Sequence, residues 1–280
     1  MATPGTRSIR SILVHVDGTS GCADRLALAR RLGRETRAEV WAMFVGALAD
    51  RPLALAISES PAALLETVDW AAASHARTLF DEAAAVDASL HWLDSLGLDA
   101  EKAFHRQALL ADLLVLGQPD PGAEPGTAPP QGFVEWLLVD TGQPVLLLPR
   151  ARSADTLGRQ VLIGWNGTPP AAHAVAAALP WLKAARQVHV LQGGPAYEAE
   201  VGELDIERYL DCHGVDIELH TDPMVDASDA GSALLTLARD VSADLLVMGA
   251  FGHGRTRERL LGGTTRTILQ TMTLPVLMAH

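Results

Sequence analysis

Short unbroken apolar runs alternate along this chain with longer stretches in which apolar residues return every three or four positions. The runs include SILVHV (Ser11–Val16), AEVWAMFV (Ala38–Val45), ADLLVLG (Ala111–Gly117), QVLIGW (Gln160–Trp165), QVHVLQ (Gln187–Gln192) and ADLLVMG (Ala243–Gly249). A run of this length with no polar alternation is a strand covered on both faces. Between them, ADRLALARRLGR (Ala23–Arg34) and AAHAVAAALPWLK (Ala171–Lys183) carry the spacing of helices with one buried stripe. Strands alternating with helices predict a doubly wound α/β fold on a parallel sheet.

The pattern occurs twice. SILVHVDGT, ending at Thr19, matches QVLIGWNGT, ending at Thr168. ADLLVLG matches ADLLVMG, and PVLLLP from Pro144 matches PVLMAH from Pro275. The offsets are 149, 132 and 131 positions, so the first copy carries about 17 extra residues between its first and fourth strands. The alanine- and leucine-rich stretch Ala47–Ala76 is the expected place for them, as helix. The polar stretch Arg150–Arg159 separates a closing strand from an opening one, which predicts domains at 1–150 and 151–280.

The net charge of −12 over 280 residues argues against a general nucleic-acid or anionic-membrane partner, which would need a basic face. The polar opening MATPGTRSIR lacks the apolar core of a secretion signal, and no apolar stretch is long enough for a membrane span. A soluble cytoplasmic protein is expected. Two cysteines, Cys22 and Cys212, fall in different halves with no metal-type spacing. Both are expected to be small buried residues, and Cys212–His213 with His220 match no ligand pattern, so no metal site is expected.

One local exception to the acidic balance carries chemistry. After its fourth strand the second half runs GAFGHGRTRERLLGGTTRTIL from Gly249 to Leu269. Gly249 and Gly252 are separated by two residues, and nine more precede Gly262 and Gly263, after which Thr264 and Thr265 open a helix. Glycines let a main chain approach a ligand closely, and a helix N-terminus offers unpaired N–H groups to an anion. His253, Arg255, Arg257 and Arg259 add cationic charge suited to a triphosphate.

Strand, Gly-x-x-Gly, nine residues, Gly, hydroxyl residue, helix and PVL strand together resemble the ATP-binding signature of the universal stress proteins, in two copies over nearly the whole chain. The resemblance implies two tandem five-stranded Rossmann-like sheets of order 3-2-1-4-5, of the adenine nucleotide α-hydrolase-like type, with ligand between strands one and four. It implies a stress-response sensor or regulator that binds ATP, with Mg²⁺ admitted. Carried over, Gly249 and Gly252 would approach ribose and phosphates; Gly262, Gly263, Thr264 and Thr265 would cap the phosphates with His253 and Arg255 beside them. Asn166, with Gly164 and Trp165, would face the nucleoside. The family usually has Asp at position 166 and Ser at 263.

The first half keeps Asp17 but has QPDPGAEPGTAPPQG after Gly117, with five prolines and no basic residue. Prolines remove N–H donors, so this copy reads as degenerate and structural. The resemblance also implies that the closing strands pair, making an internal pseudo-dimer; a homodimer is compatible with it, and a signalling partner is implied without being identified. Two other readings stay open: a ligand-free interaction or dimerisation module, and a slow ATPase. No catalytic residue is assigned, because no base or metal carboxylate accompanies the loop.

Overall fold

The computed structural model describes residues 9–46, 61–87, 89–94, 100–124, 126–151, 156–193, 204–221, 229–251 and 263–280. Its contacts divide the chain into two units, one spanning Ile9–Gln143 and the other Pro144–His280.

In the first unit the order is β1 (Ser11–Val16), α1 (Cys22–Thr36), β2 (Glu39–Phe44), α2 (Pro61–Ala84), β3 (Leu90–Leu93), α3 (Ala100–Ala108), β4 (Leu113–Gly117) and α4 (Phe133–Asp140). The strands lie parallel in the order β3-β2-β1-β4. Ile12, Val14, Val40, Ala42, Leu114 and Val115 are wholly buried, as strands covered on both sides require. Helix α1 turns Leu26, Ala29 and Leu32 inward and ends at Arg37, whose left-handed backbone (φ 57°) lets its N–H bond the Gly33 carbonyl. The expected helical surplus falls in part on α2, which runs for 24 residues; residues 47–60 lie outside the described residues.

The second unit runs β5 (Val145–Leu148), β6 (Gln160–Trp165), α5 (Pro169–Ala184), β7 (Gln187–Gln192), α6 (Ile206–Cys212), β8 (Glu218–Thr221), α7 (Ala230–Asp240), β9 (Leu245–Gly249), α8 (Gly263–Thr271) and β10 (Val276–Ala279). The five strands β8-β7-β6-β9-β10 are parallel, which is the order 3-2-1-4-5 counted within the repeat. β5, the closing strand of the first sequence repeat, adds antiparallel to β10 with Leu277 opposite Leu146.

The repeated Ala-Asp before each fourth strand has a structural reason. Asp112 Oδ2 accepts from the Arg10 and Ser11 N–H groups and the Ser11 hydroxyl. Asp244 Oδ1 accepts from the Gln160 N–H. Each carboxylate thus ties the start of its fourth strand to the start of its first, which sets the register at the heart of the sheet. Among the described residues no helix is long and apolar enough to cross a membrane.

Candidate functional site

In the second unit the strand order reverses between β6 and β9, which are paired from Val161↔Leu245 to Gly164↔Met248. A crevice opens at such a point beyond the carboxyl ends of the strands. Asn166 and Gly167 follow β6 and are exposed there. Gly167 has φ 67°, a left-handed turn that suits glycine, and the Thr168 hydroxyl donates to Asn166 Oδ1 at 2.7 Å. That bond orients the amide and leaves a second lone pair on its oxygen.

Gly249 ends β9 at the same crevice, and its role is partly one of packing. A Cβ built on it would lie 2.5 Å from the Ala171 nitrogen and 2.7 Å from the Pro170 carbonyl carbon, so the first turn of α5 rests on this glycine. Gly164 is similarly close to the Leu234 side chain of α7, at 3.0 Å. Gly249→Ala is therefore expected to cost about 1–3 kcal/mol without any ligand, by overpacking. Thermal denaturation of the ligand-free variant measures it; an unchanged melting temperature would leave the glycine serving ligand approach alone.

At the far end of the loop, Gly263 and Thr264 start α8. Thr265 is buried, and its hydroxyl accepts the Phe251 N–H at 3.2 Å, tying the strand exit to the helix. Phe251 has φ 57°, and His280 Nδ1 reaches the Ala250 carbonyl at 2.9 Å, so the turn leaving β9 is held from two sides. Gly164, Trp165 and Asn166 thus lie at the carboxyl end of β6 and Gly249 at that of the neighbouring β9, while Thr265, in the first turn of α8 with Gly263 and Thr264, bonds the residue two past Gly249. Gly252, His253, Arg255 and Gly262, with Arg257 and Arg259, lie outside the described residues.

The corresponding crevice of the first unit is filled. Asp17, the counterpart of Asn166, is 2% exposed, and Arg25 reaches it from α1 at 3% exposure. The guanidinium bonds Asp17 Oδ1 at 2.5 Å and the His15 carbonyl at 3.1 Å. It also lies over Gly117, the counterpart of Gly249, where an added Cβ would fall 2.6 Å from Nη1. Burial alone would raise the Asp17 carboxyl; Arg25, helped by the Thr19 hydroxyl and N–H, outweighs it and holds the group below the usual carboxylate value.

The proline-rich loop completes the closure. The Gly18 N–H donates to the Thr127 carbonyl at 2.7 Å, and a Cβ on Gly18 would meet Ala72 of α2 and Thr127 at 3.1 and 3.2 Å. Gly167, the second-unit counterpart of Gly18, has nothing among the described residues within 4 Å of such a Cβ. At the 149-residue offset, Arg25 corresponds to Ala174. An Asp–Arg pair in one copy is thus Asn and Ala in the other.

Of the cysteines, Cys22 is buried as expected, and burial pushes its thiol up, against reactivity. Cys212 is exposed, contrary to expectation. Helix α6 spans only seven residues and buries Ile206 and Leu210, which leaves Cys212 off the inward face.

Residues 158–280 match the family model described as the universal stress protein family. No curated protein matches the chain by sequence. Among solved structures, a universal stress protein from Archaeoglobus fulgidus DSM 4304 is similar with a TM-score of 0.69 at 15% identity, over 95% of this chain and 94% of its own. A protein of unknown function from Pseudomonas aeruginosa PAO1 is similar with a TM-score of 0.56 at 18% identity, over 96% and 92%. A universal stress protein in complex with cAMP matches over 44% of this chain and 97% of its own, at 25% identity and a TM-score of 0.32. The two long matches share the fold across nearly the full chain. Over its second repeat, residues 158–280, the chain is similar to the universal stress protein family.

Proposed function

We propose that the chain is a nucleotide-binding stress-response protein that takes up one ATP in its second repeat, with the first repeat serving as structure. The observation that carries this reading is the contrast between the copies. One strand-order reversal is plugged by Asp17–Arg25 and capped by Thr127, while the other has an exposed Asn166 and a small, buried Ala174 in their places. The glycine spacing and the basic residues Arg255, Arg257 and Arg259 belong to the unplugged copy alone. Asn166 would accept a ribose hydroxyl, and the N-terminus of α8 would face the phosphates, with Mg²⁺ as a further counter-charge. Retention of the first repeat is accounted for by β5, which covers the edge of β10 that would otherwise be open, as in an internal pseudo-dimer. A signalling role in the cytoplasm, through a partner chosen by nucleotide state, is part of the same proposal and is supported by the family resemblance alone.

Titration calorimetry with ATP tests the proposal. One site per chain is expected. Changing Arg255, Arg257 and Arg259 together to alanine should weaken it by more than about tenfold, since bonds to charged groups contribute about 1.5–3 kcal/mol each. Asn166→Asp should tighten binding by about fivefold at high ionic strength, because a charged acceptor bonds more strongly than a neutral one. Two equivalent sites, or none, would overturn the reading.

A further inference from the structure

Strand β8 reads Glu218-Leu219-His220-Thr221, and residues two apart on a strand point to the same face. The parallel register sets Glu218 beside His189 of β7 and His220 beside Leu191. His189, Glu218 and His220 therefore meet on one face of two neighbouring strands. His189 Nδ1 lies 3.0 Å from His220 Nε2 and 3.5 Å from Glu218 Oε2, and His220 Nε2 lies 3.8 Å from Glu218 Oε1. One ligand atom from each residue falls within 4.8 Å of the others. The Gln187 side chain donates to Glu218 Oε2 at 3.2 Å, which steadies the carboxylate.

From this juxtaposition we propose that His189, Glu218 and His220 bind a borderline-soft divalent cation of the zinc class. Two imidazole nitrogens and one carboxylate are the donor set that zinc takes, with bonds of about 2.0–2.2 Å; the edges of a tetrahedron on such bonds measure about 3.3 Å. The observed separations bracket that value, so small side-chain rotations would close the site. The hard cations Mg²⁺ and Ca²⁺ prefer all-oxygen shells and are not expected to compete. Cu²⁺ should, by the usual order of divalent affinities.

The His189 ring supports the assignment from the other side. It is 3% exposed, and its Nε2 is buried with no hydrogen-bond partner among the described residues. In the Nε2–H tautomer the Nδ1 lone pair points into the cluster. Glu218 is exposed and His220 half-buried, so a cation has a path in, and three protein ligands leave a further position for water.

The first repeat provides an internal comparison. At the same register its strands carry Trp41 opposite His91 and Met43 opposite Leu93, so only one imidazole is present there. Among the described residues this is the one such cluster of donors, so one cation per chain is expected. The site uses β7 and β8, outside the crevice between β6 and β9, so it stands or falls independently of nucleotide binding.

The experiment uses the full chain after chelator treatment, titrated with Zn²⁺ in a calorimeter and followed by thermal denaturation, with Co²⁺ absorption reporting coordination. One Zn²⁺ per chain, a raised melting temperature and no shift with Mg²⁺ are expected. His220→Ala and Glu218→Gln should each weaken binding by more than about tenfold, since loss of even an outer partner of a metal ligand reaches that scale. Cys212→Ser should leave binding unchanged. Glu218→Gln keeps shape and decides the matter should His220→Ala melt early without metal. Absence of Zn²⁺ binding, or equal affinity and stoichiometry in both ligand variants, would overturn the proposal.

Discussion

Arg25→Ala is expected to destabilise the protein by about 3–5 kcal/mol, the scale on which breaking a buried ion pair leaves an uncompensated charge. The charge left behind is Asp17, 2% exposed and just past the end of β1. Its remaining partners are the Thr19 N–H and hydroxyl at Oδ1 and, 3.7 Å from Oδ2, His15 Nδ1, whose ring burial keeps neutral at neutral pH. Asp17→Asn in the same background should recover much of the loss, because the double variant reproduces the pair that the second repeat holds as Asn166 and Ala174. Denaturant unfolding at neutral pH of the parent, both single variants and the double variant measures the coupling. Additive losses, or less than about 1 kcal/mol for Arg25→Ala, would mean that the pair is not what closes this crevice.

Much of the fold is legible in the sequence because continuous apolar strands and repeated Ala-Asp and Pro-Val-Leu landmarks are local signals. Arg25 is not. In ADRLALARRLGR it reads like its neighbours Arg30 and Arg31, as part of a helix's polar side, and only the meeting of α1 with the end of β1 makes it a buried plug. An acid at the end of a strand with an arginine eight residues on, against Asn and Ala in the other copy, is the signal that could expose it.

The glycine spacing marks Gly249 for ligand approach, and spacing alone does not separate that role from the packing of α5 that the built Cβ reveals. The metal-type cluster escapes the sequence for another reason. Cys212 and His213 draw attention as sequence neighbours of His220, whereas strand register selects His189, 31 residues away from it, as its partner. The glycine loop stands on the family resemblance, and Gly252, His253, Arg255 and Gly262 rest on it still.

Acidification should weaken the fold well before the carboxylates titrate, and His15 is the main reason. This imidazole is 1% exposed, edge-on to Phe104 at 5.9 Å and tilted against Phe133 at 5.3 Å. Its Nε2–H donates to the Val45 carbonyl at 2.8 Å. Burial pushes its pKa down to about 4 from 6.5, although Asp17 pulls the other way. The unfolded chain thus binds a proton near pH 6.5 that the folded chain refuses until about pH 4, so stability is full above that window and falls as pH drops through it. At about 1.4 kcal/mol per pH unit the loss reaches about 3 kcal/mol by pH 4. His189, lowered by its own burial, adds to the slope in the same direction, and Asp17 adds a further loss only as pH falls below the ordinary carboxylate value. Denaturant unfolding at pH 7, 5.5 and 4.5 should show the decline, and His15→Leu should flatten it while lowering stability at pH 7 through the unpaired Val45 carbonyl. A flat profile in the parent, or an undiminished slope in the variant, would place the acid-sensitive group elsewhere.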